Sequence, residues 1–245
     1  MRLARAALAA FSASAAEVPD GDGWLGSEER RVLQGLRFLK RREDWRLGRW
    51  VGKQALRCAL FHRMGSAPSL EEIEIRAAAD GAPEVFLDGE PFPFEMSLSH
   101  SQGVGFGIVA EAGDRPGCDV ERIEPRDPRF LADYFSNEEA RLVAERPEEE
   151  RALVATLVWS AKESALKSLR EGLRRDTRSV RVHLDGVPDA CGWAPLRVRC
   201  EVTSRDFLGQ WFQDGSRVFT LVSARLPEQP FPVAGPLRAG LYSAP

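Results

Sequence analysis

The stretch Trp159-Ser160-Ala161-Lys162-Glu163-Ser164-Ala165-Leu166-Lys167 constrains this chain more than any other, because helical spacing sorts its surroundings into two stripes of opposite character. At 3.6 residues per turn, Trp159, Glu163 and Lys167 follow one another on one side. Val154, Val158, Ala161, Ala165 and Leu169 form a second, apolar stripe, which predicts a helix seated on a core along that face. A seated helix holds Glu163 and Lys167 at a fixed place, and fixed charges are what catalysis needs. The same pattern also describes an ordinary helix-surface ion pair, so the rest of the chain has to decide.

With 245 residues, 43% of them hydrophobic, the chain can bury a sizeable core. Its formal charge of −3 gives no bulk attraction to nucleic acid, so a surface for anions must be local. Cys58, Cys118, Cys191 and Cys200 are far apart and form no CxxC pair, which suits reduced thiols in a cytoplasm and gives no zinc site. No apolar run reaches the length of a transmembrane helix. Residues 1–16 carry two arginines and an Ala-rich run, the elements of a secretory leader; their apolar centre is short and alanine-dominated, and a first β-strand is expected instead.

After a Gly/Asp-rich break at 20–23, Ser27 can cap a helix with Glu28 and Glu29 in its first turn. Helix is expected to Met64-Gly65, broken near Lys40. Within it Arg42, Arg46, Arg49 and Lys53 line one face, which describes a solvated basic face or, since four like charges repel each other, a face that meets a polyanion such as a phosphate-rich ligand. From 70 to 110 short strand-like runs take over. Ser97 and Ser99 are expected to end a strand, with His100 and Ser101 opening into a Gly-containing turn able to bind phosphate.

Cys118-Asp119-Val120-Glu121-Arg122 alternates, which places Asp119 and Glu121 on one face of a strand. Two carboxylates so arranged suit a hard cation of the magnesium kind, or simply the charged outer face of an edge strand. A short helix is expected over 126–134, then another opened by a capping box between Ser136 and Glu139. The long helix runs over 148–169 and stops at Gly172. Strands follow at 180–184, 196–202, 209–212 and 218–222, the last two joined through Asp214-Gly215. Residues 227–245, with five prolines, read as an extended or disordered tail. The order of elements gives an α+β plan occurring twice, with no close sequence repeat.

Taken in order, Ser99-His100-Ser101, Gly117-Cys118-Asp119-Val120-Glu121, Phe135-Ser136-x-x-Glu139 and Trp159-x-x-Lys162-Glu163-x-x-x-Lys167 resemble the surfactin-type 4′-phosphopantetheinyl transferases. The resemblance runs from about Ser27 to Val222. It implies a pseudo-two-fold pair of similar α+β halves, residues 1–115 and 116–226, with the site between them and a tail at 227–245. It implies transfer of the phosphopantetheine arm of coenzyme A to a serine of an apo acyl or peptidyl carrier protein, with release of adenosine 3′,5′-bisphosphate. Asp119, Glu121 and Glu163 would hold Mg2+, for which Mn2+ could substitute. Glu163 would take the serine proton, Lys167 would serve the leaving phosphate, and Asp119 completes the catalytic set. Arg42, Arg46, Arg49, Lys53, Ser99, His100, Lys162 and Lys167 would grip coenzyme A.

The expected molecule is a cytoplasmic monomer whose partners are coenzyme A and a carrier protein, without nucleic acid or membrane. The sequence departs from the family pattern at Ala82, where Lys or Arg is common, at Ser164, where Ala is, and at Arg170, where Gly is. Two other readings use the same residues: a magnesium-dependent coenzyme A or nucleotide pyrophosphatase with water as nucleophile, and a coenzyme A-binding module without turnover.

Overall fold

The computed structural model describes residues 8–189 and 192–224, together with the backbone of 233–234. Residues divide into two compact units, Met1–Pro116 with Pro227–Pro245, and Gly117–Leu226. Each is a set of helices on an antiparallel sheet, the α+β architecture expected from the order of the sequence patterns.

The first unit begins with strand β1 (Ala9–Ser14), the segment read as a first strand. Helices α1 (Ser27–Gly35) and α2 (Leu39–Met64) follow, parted where Leu36 and Phe38 turn extended, close to the expected break. Gly65, at φ 74°, closes α2 in the left-handed conformation that glycine adopts without a side-chain clash. Strands β2 (Ile73–Ala77), β3 (Pro83–Leu87), β4 (Glu90–Ser101) and β5 (Val104–Glu111) complete the unit. The short strand β11 (Val233–Ala234) pairs parallel with β1, giving the order β11-β1-β5-β4-β3-β2. These two residues of the expected tail are thus in a sheet, and the rest of it lies outside the described residues. Val51, Ala55, Leu56, Ala59 and Leu60 of α2 are buried, and Ala55, Leu56, Ala59 and Leu60 share a core with Ile73, Ile75, Val85, Met96 and Val109 of the sheet.

The second unit runs β6 (Gly117–Arg122), α3 (Pro128–Tyr134), α4 (Asn137–Ala144), α5 (Glu148–Ser168), β7 (Val180–Leu184), β8 (Ala194–Cys200), β9 (Arg205–Asp214) and β10 (Arg217–Ser223). Its sheet order is β6-β10-β9-β8-β7. The apolar stripe predicted on α5 is the buried one: Val154, Val158, Ala161 and Ala165 join Val180, Val198, Phe207 and Val222 in one core. Setting β11 aside, both sheets have the same plan, in which the first strand of the unit pairs with the last and the remaining strands follow in reverse order.

The likeness extends to a buried ion pair. Glu29, in the first turn of α1, accepts from its own cap at Gly26 N and from Ile75 N of β2, and pairs at 2.5 Å with Lys53 of α2. Glu139, in the first turn of α4, accepts from Ser136 N and from Val182 N of β7, and pairs at 2.8 Å with Lys162 of α5. Both pairs therefore tie a short helix, a long helix and the strand that opens the return through the sheet. A short correspondence is also present in the sequence: Trp50-x-x-Lys53 and Trp159-x-x-Lys162 occupy corresponding places. The correspondence is confined to these two residues within the motif, so it is not a close sequence repeat.

Candidate active site

Gly117 sets how closely β6 approaches α5. A Cβ there would lie 1.9 Å from the carbonyl oxygen of Ser164, so only glycine permits this contact. The next residue on the same face, Asp119, is consequently held against the helix and is 2% exposed. β6 is an edge strand, but its Asp119 side chain is not on an open outer face: it faces α5, where Lys167 Nζ donates to its Oδ1 at 2.7 Å and to the Cys118 carbonyl at 3.0 Å.

The other carboxylate oxygen ends a directed chain of hydroxyls. Ser160 Oγ donates to Asp119 Oδ2 at 2.8 Å, and that uses its single proton. In the 2.8 Å contact between Ser160 and Thr220 the donor must then be Thr220, and Ser164, 2.8 Å from Thr220 Oγ1 and 3.3 Å from the Thr220 carbonyl oxygen, shares its single proton between those two acceptors. All three hydroxyl residues are fully buried. Ser164, a departure from the family pattern, thus has a role: it supplies the first proton of the chain. Asp119 is fixed from both sides.

Glu121 and Glu163 complete a crowded set of acids. Burial, together with the charges of Asp119 and Glu121, pushes the Glu163 carboxyl up to about 7 against the opposing effect of Lys167. Burial and Asp119 also raise Glu121, which receives a hydrogen bond from Trp159 and has Arg126 at 3.9 Å. Trp159 is held in turn by the rings of Phe130 and Tyr134, each at 5.0 Å between centroids. Burial works against the charge of Lys167, yet Asp119 and Glu163 hold its ammonium above the ordinary lysine range. The predicted stripe is therefore an electrostatic unit of three carboxylates and an ammonium, built on β6 and α5.

The hard oxygen donors and mutual repulsion of this set fit a divalent cation. Among the described residues, however, no three acidic, histidine or cysteine side chains converge into a ready cage. Asp119 is instead held in its ion pair with Lys167.

The basic row on α2 is placed differently from expectation. Lys53 is fully buried, and besides Glu29 it donates to the carbonyls of Trp24 and Leu70, which uses all three protons of the ammonium. Lys162 does the same with Glu139 and the carbonyls of Thr177 and Val180. Neither lysine has a donor left for a ligand, so both assignments to coenzyme A binding are corrected. Arg42 donates to the carbonyls of Leu33 and Leu36 at the end of α1. Arg46 pairs with Asp22 and donates to the carbonyls of Pro19, Asp20 and Gly21. Arg49 is largely buried, with its guanidinium over the Trp45 ring at 4.5 Å and its Nε 3.8 Å from Glu29. The row offsets its self-repulsion by holding the 19–36 segment, rather than by facing a ligand in common.

The turn expected at His100 and Ser101 is corrected to a later position. β4 continues through Ser101, and the turn is Gln102-Gly103, both at positive φ as a two-residue hairpin requires. Strand alternation puts the buried Ser99 and the exposed His100 on opposite faces. His100 opens into a cleft of about 460 Å³ lined also by Phe38, Lys40, Arg41, Asp44 and Trp45, with Asp44 Oδ1 4.0 Å from its Nδ1. Of these, Phe38, Lys40, Asp44 and Trp45 were not singled out in the sequence, because only the break before α2 turns its first residues toward β4. Arg170 adopts φ 59°, a left-handed position that glycine would take without a side-chain clash.

Residues 115–210 match the family model described as the 4′-phosphopantetheinyl transferase superfamily. This stretch is similar to that superfamily. It contains Asp119, Glu121, Glu163 and Lys167. The 4′-phosphopantetheinyl transferase psf-1 of Bacillus pumilus is 29% identical over 148 residues, 60% of this chain and 58% of that relative, so less than two thirds of the relative's length is matched. Two solved structures of this kind share partial likeness. A holo-(acyl-carrier-protein) synthase from Bacillus anthracis in complex with CoA has a TM-score of 0.36 and 20% identity, covering 44% of this chain and 96% of its own. A holo-[acyl-carrier-protein] synthase from Thermotoga maritima has a TM-score of 0.36 and 24% identity, covering 53% and 74%.

Proposed function

We propose that the chain is a 4′-phosphopantetheinyl transferase that moves the phosphopantetheine arm of coenzyme A onto a serine of an apo carrier protein. The observation that carries this reading is Glu163, a half-buried carboxyl with a pKa near 7 set beside Asp119 and Lys167 in the stretch that matches the superfamily model. A carboxyl so poised can take a hydroxyl proton near neutral pH.

The reaction forms a bond between the serine Oγ and the pantetheine-side phosphorus. It breaks that phosphorus's bond to the bridging oxygen, and adenosine 3′,5′-bisphosphate leaves. Glu163 receives the serine proton. Lys167, on the same face of α5, stabilises the charge that develops on the leaving phosphate. Asp119, fixed by Ser160, and Glu121, fixed by Trp159, would hold Mg2+ or Mn2+ with Glu163. The cation supplies charge neutralisation at the pyrophosphate. In the other unit, Arg41, His100 and the Lys40–Asp44 ion pair give the cleft a polar wall beside the rings of Phe38 and Trp45, which suits a nucleotide carrying a phosphate. Both units lie in one chain, and a monomer is expected to act in the cytoplasm. Among the described residues no helix is long and apolar enough to cross a membrane.

The test is intact-mass spectrometry of apo carrier proteins incubated with the chain, coenzyme A and Mg2+, with an EDTA control. A gain of one phosphopantetheine, absent in EDTA, on Glu163→Gln and when the carrier serine is alanine, is the expected result. Bisphosphate released while every carrier stays apo would replace this reading with the pyrophosphatase. Coenzyme A binding with neither product would leave a binding module.

A further inference from the structure

Asp119 has almost no freedom to meet a ligand on new terms. Its side chain is 3% exposed, one oxygen is fixed by Ser160 at the end of the buried hydroxyl chain, and the other receives Lys167 at 2.7 Å. Lys167 is different in kind: its side chain is 28% exposed and its ammonium sits on a flexible four-carbon stem. A divalent cation arriving at Oδ1 would meet the ammonium at contact distance, and two like charges cannot share that oxygen without strong repulsion. The mobile partner must yield. Glu163, on the same helix face, adds a second attraction that keeps Lys167 in place while no other anion is present.

Resting on the metal reading above, we propose that Lys167 is a tethered counter-ion for Asp119, competing with the divalent cation for Oδ1 and leaving it when the substrate's pyrophosphate offers another anion. Loading of cation and substrate is then coupled through one side chain. The cation alone binds weakly because it must displace a resident charge. With pyrophosphate present, Lys167 moves to phosphate oxygen and the cation takes its place. The same lysine that serves the leaving group thus guards the site against a cation without substrate.

The consequence runs opposite to that of an ordinary binding-site residue, since removing Lys167 should strengthen cation binding. Mn2+ is titrated against the full chain without coenzyme A, and the free ion is followed by electron paramagnetic resonance. Lys167→Met, which keeps the stem and removes the charge, should bind Mn2+ on the order of tenfold more tightly than the unaltered chain. Lys167→Gln should behave alike and serves if the first variant folds poorly. Adding Asp119→Asn to Lys167→Met should erase the gain. Arg126→Met removes a cation that stands near Glu121 but does not touch Asp119, and it should change Mn2+ affinity much less.

Equal or weaker Mn2+ binding by both Lys167 variants would overturn the proposal, as would a gain of the same size in Arg126→Met, which would reduce the effect to the general field. The carrier mass assay separates this failure from that of the function. Transfer that needs metal, with no gain in the Lys167 variants, sinks the counter-ion alone. Transfer that persists in EDTA sinks the metal reading and the counter-ion with it.

Discussion

Glu163 links protonation to stability. Its ordinary carboxyl value is 4.5, and burial with Asp119 raises it to about 7 in the folded chain. The folded state therefore binds the proton more tightly than the unfolded one. The associated stability is fully present below about pH 4.5 and is lost as pH rises through 7. Allowing for the partial exposure of the group, the contribution is about 2 kcal/mol. In metal-free buffer, stability measured by denaturant unfolding should fall between pH 5 and pH 8, and Glu163→Gln should flatten that window. A profile unchanged by the substitution would mean that the acid cluster does not govern Glu163. Gly117 poses the complementary test of geometry. Gly117→Ala cannot keep β6 at its present distance from α5, so both stability and transfer should drop.

At the scale of elements, the buried pairs decide where the long helices end up. α5 is held by its apolar stripe on one side and by Lys162 on the other, which ties it to the cap of α4 and to β7. Removing the lysine alone leaves a buried carboxylate without its cation. Lys162→Met should therefore destabilise by about 3–5 kcal/mol, read by denaturant unfolding, while Lys162→Met with Glu139→Leu should recover much of that loss. A single variant as stable as the parent would show that the two backbone amides at Ser136 and Val182 suffice for Glu139. The capping box at Ser136 was legible from spacing alone, because both its bonds are local. Its Glu139 was not legible as half of an ion pair, because Lys162 reaches it only across helices.

Across the whole molecule, the two units repeat a plan but not a chemistry. Where α5 carries Glu163 and Lys167 after its Trp159-x-x-Lys162, α2 carries Gln54 and Cys58 after Trp50-x-x-Lys53. The ion pair was kept twice and the acid cluster once. The two pairs share no partner and belong to separate units, so the destabilisations of Glu29→Gln and Glu139→Gln should add within about 0.5 kcal/mol in the double variant. A larger departure in denaturant unfolding would show that the cores are coupled.

The sequence by itself determined the elements and the acid site, since each depends on neighbours close along the chain. Helical spacing put Glu163 beside Lys167, alternation put Asp119 with Glu121, and turn chemistry at Asp214-Gly215 joined β9 to β10. Only the tertiary structure decided what each cation meets. Periodicity reports that Arg42, Arg46, Arg49 and Lys53 share a face, but not what that face meets. Carbonyls and carboxylates of the 19–36 segment occupy them, while Arg41, His100 and the Lys40–Asp44 ion pair line a separate cleft. Charge in a sequence is a local property; its partner is fixed by the fold.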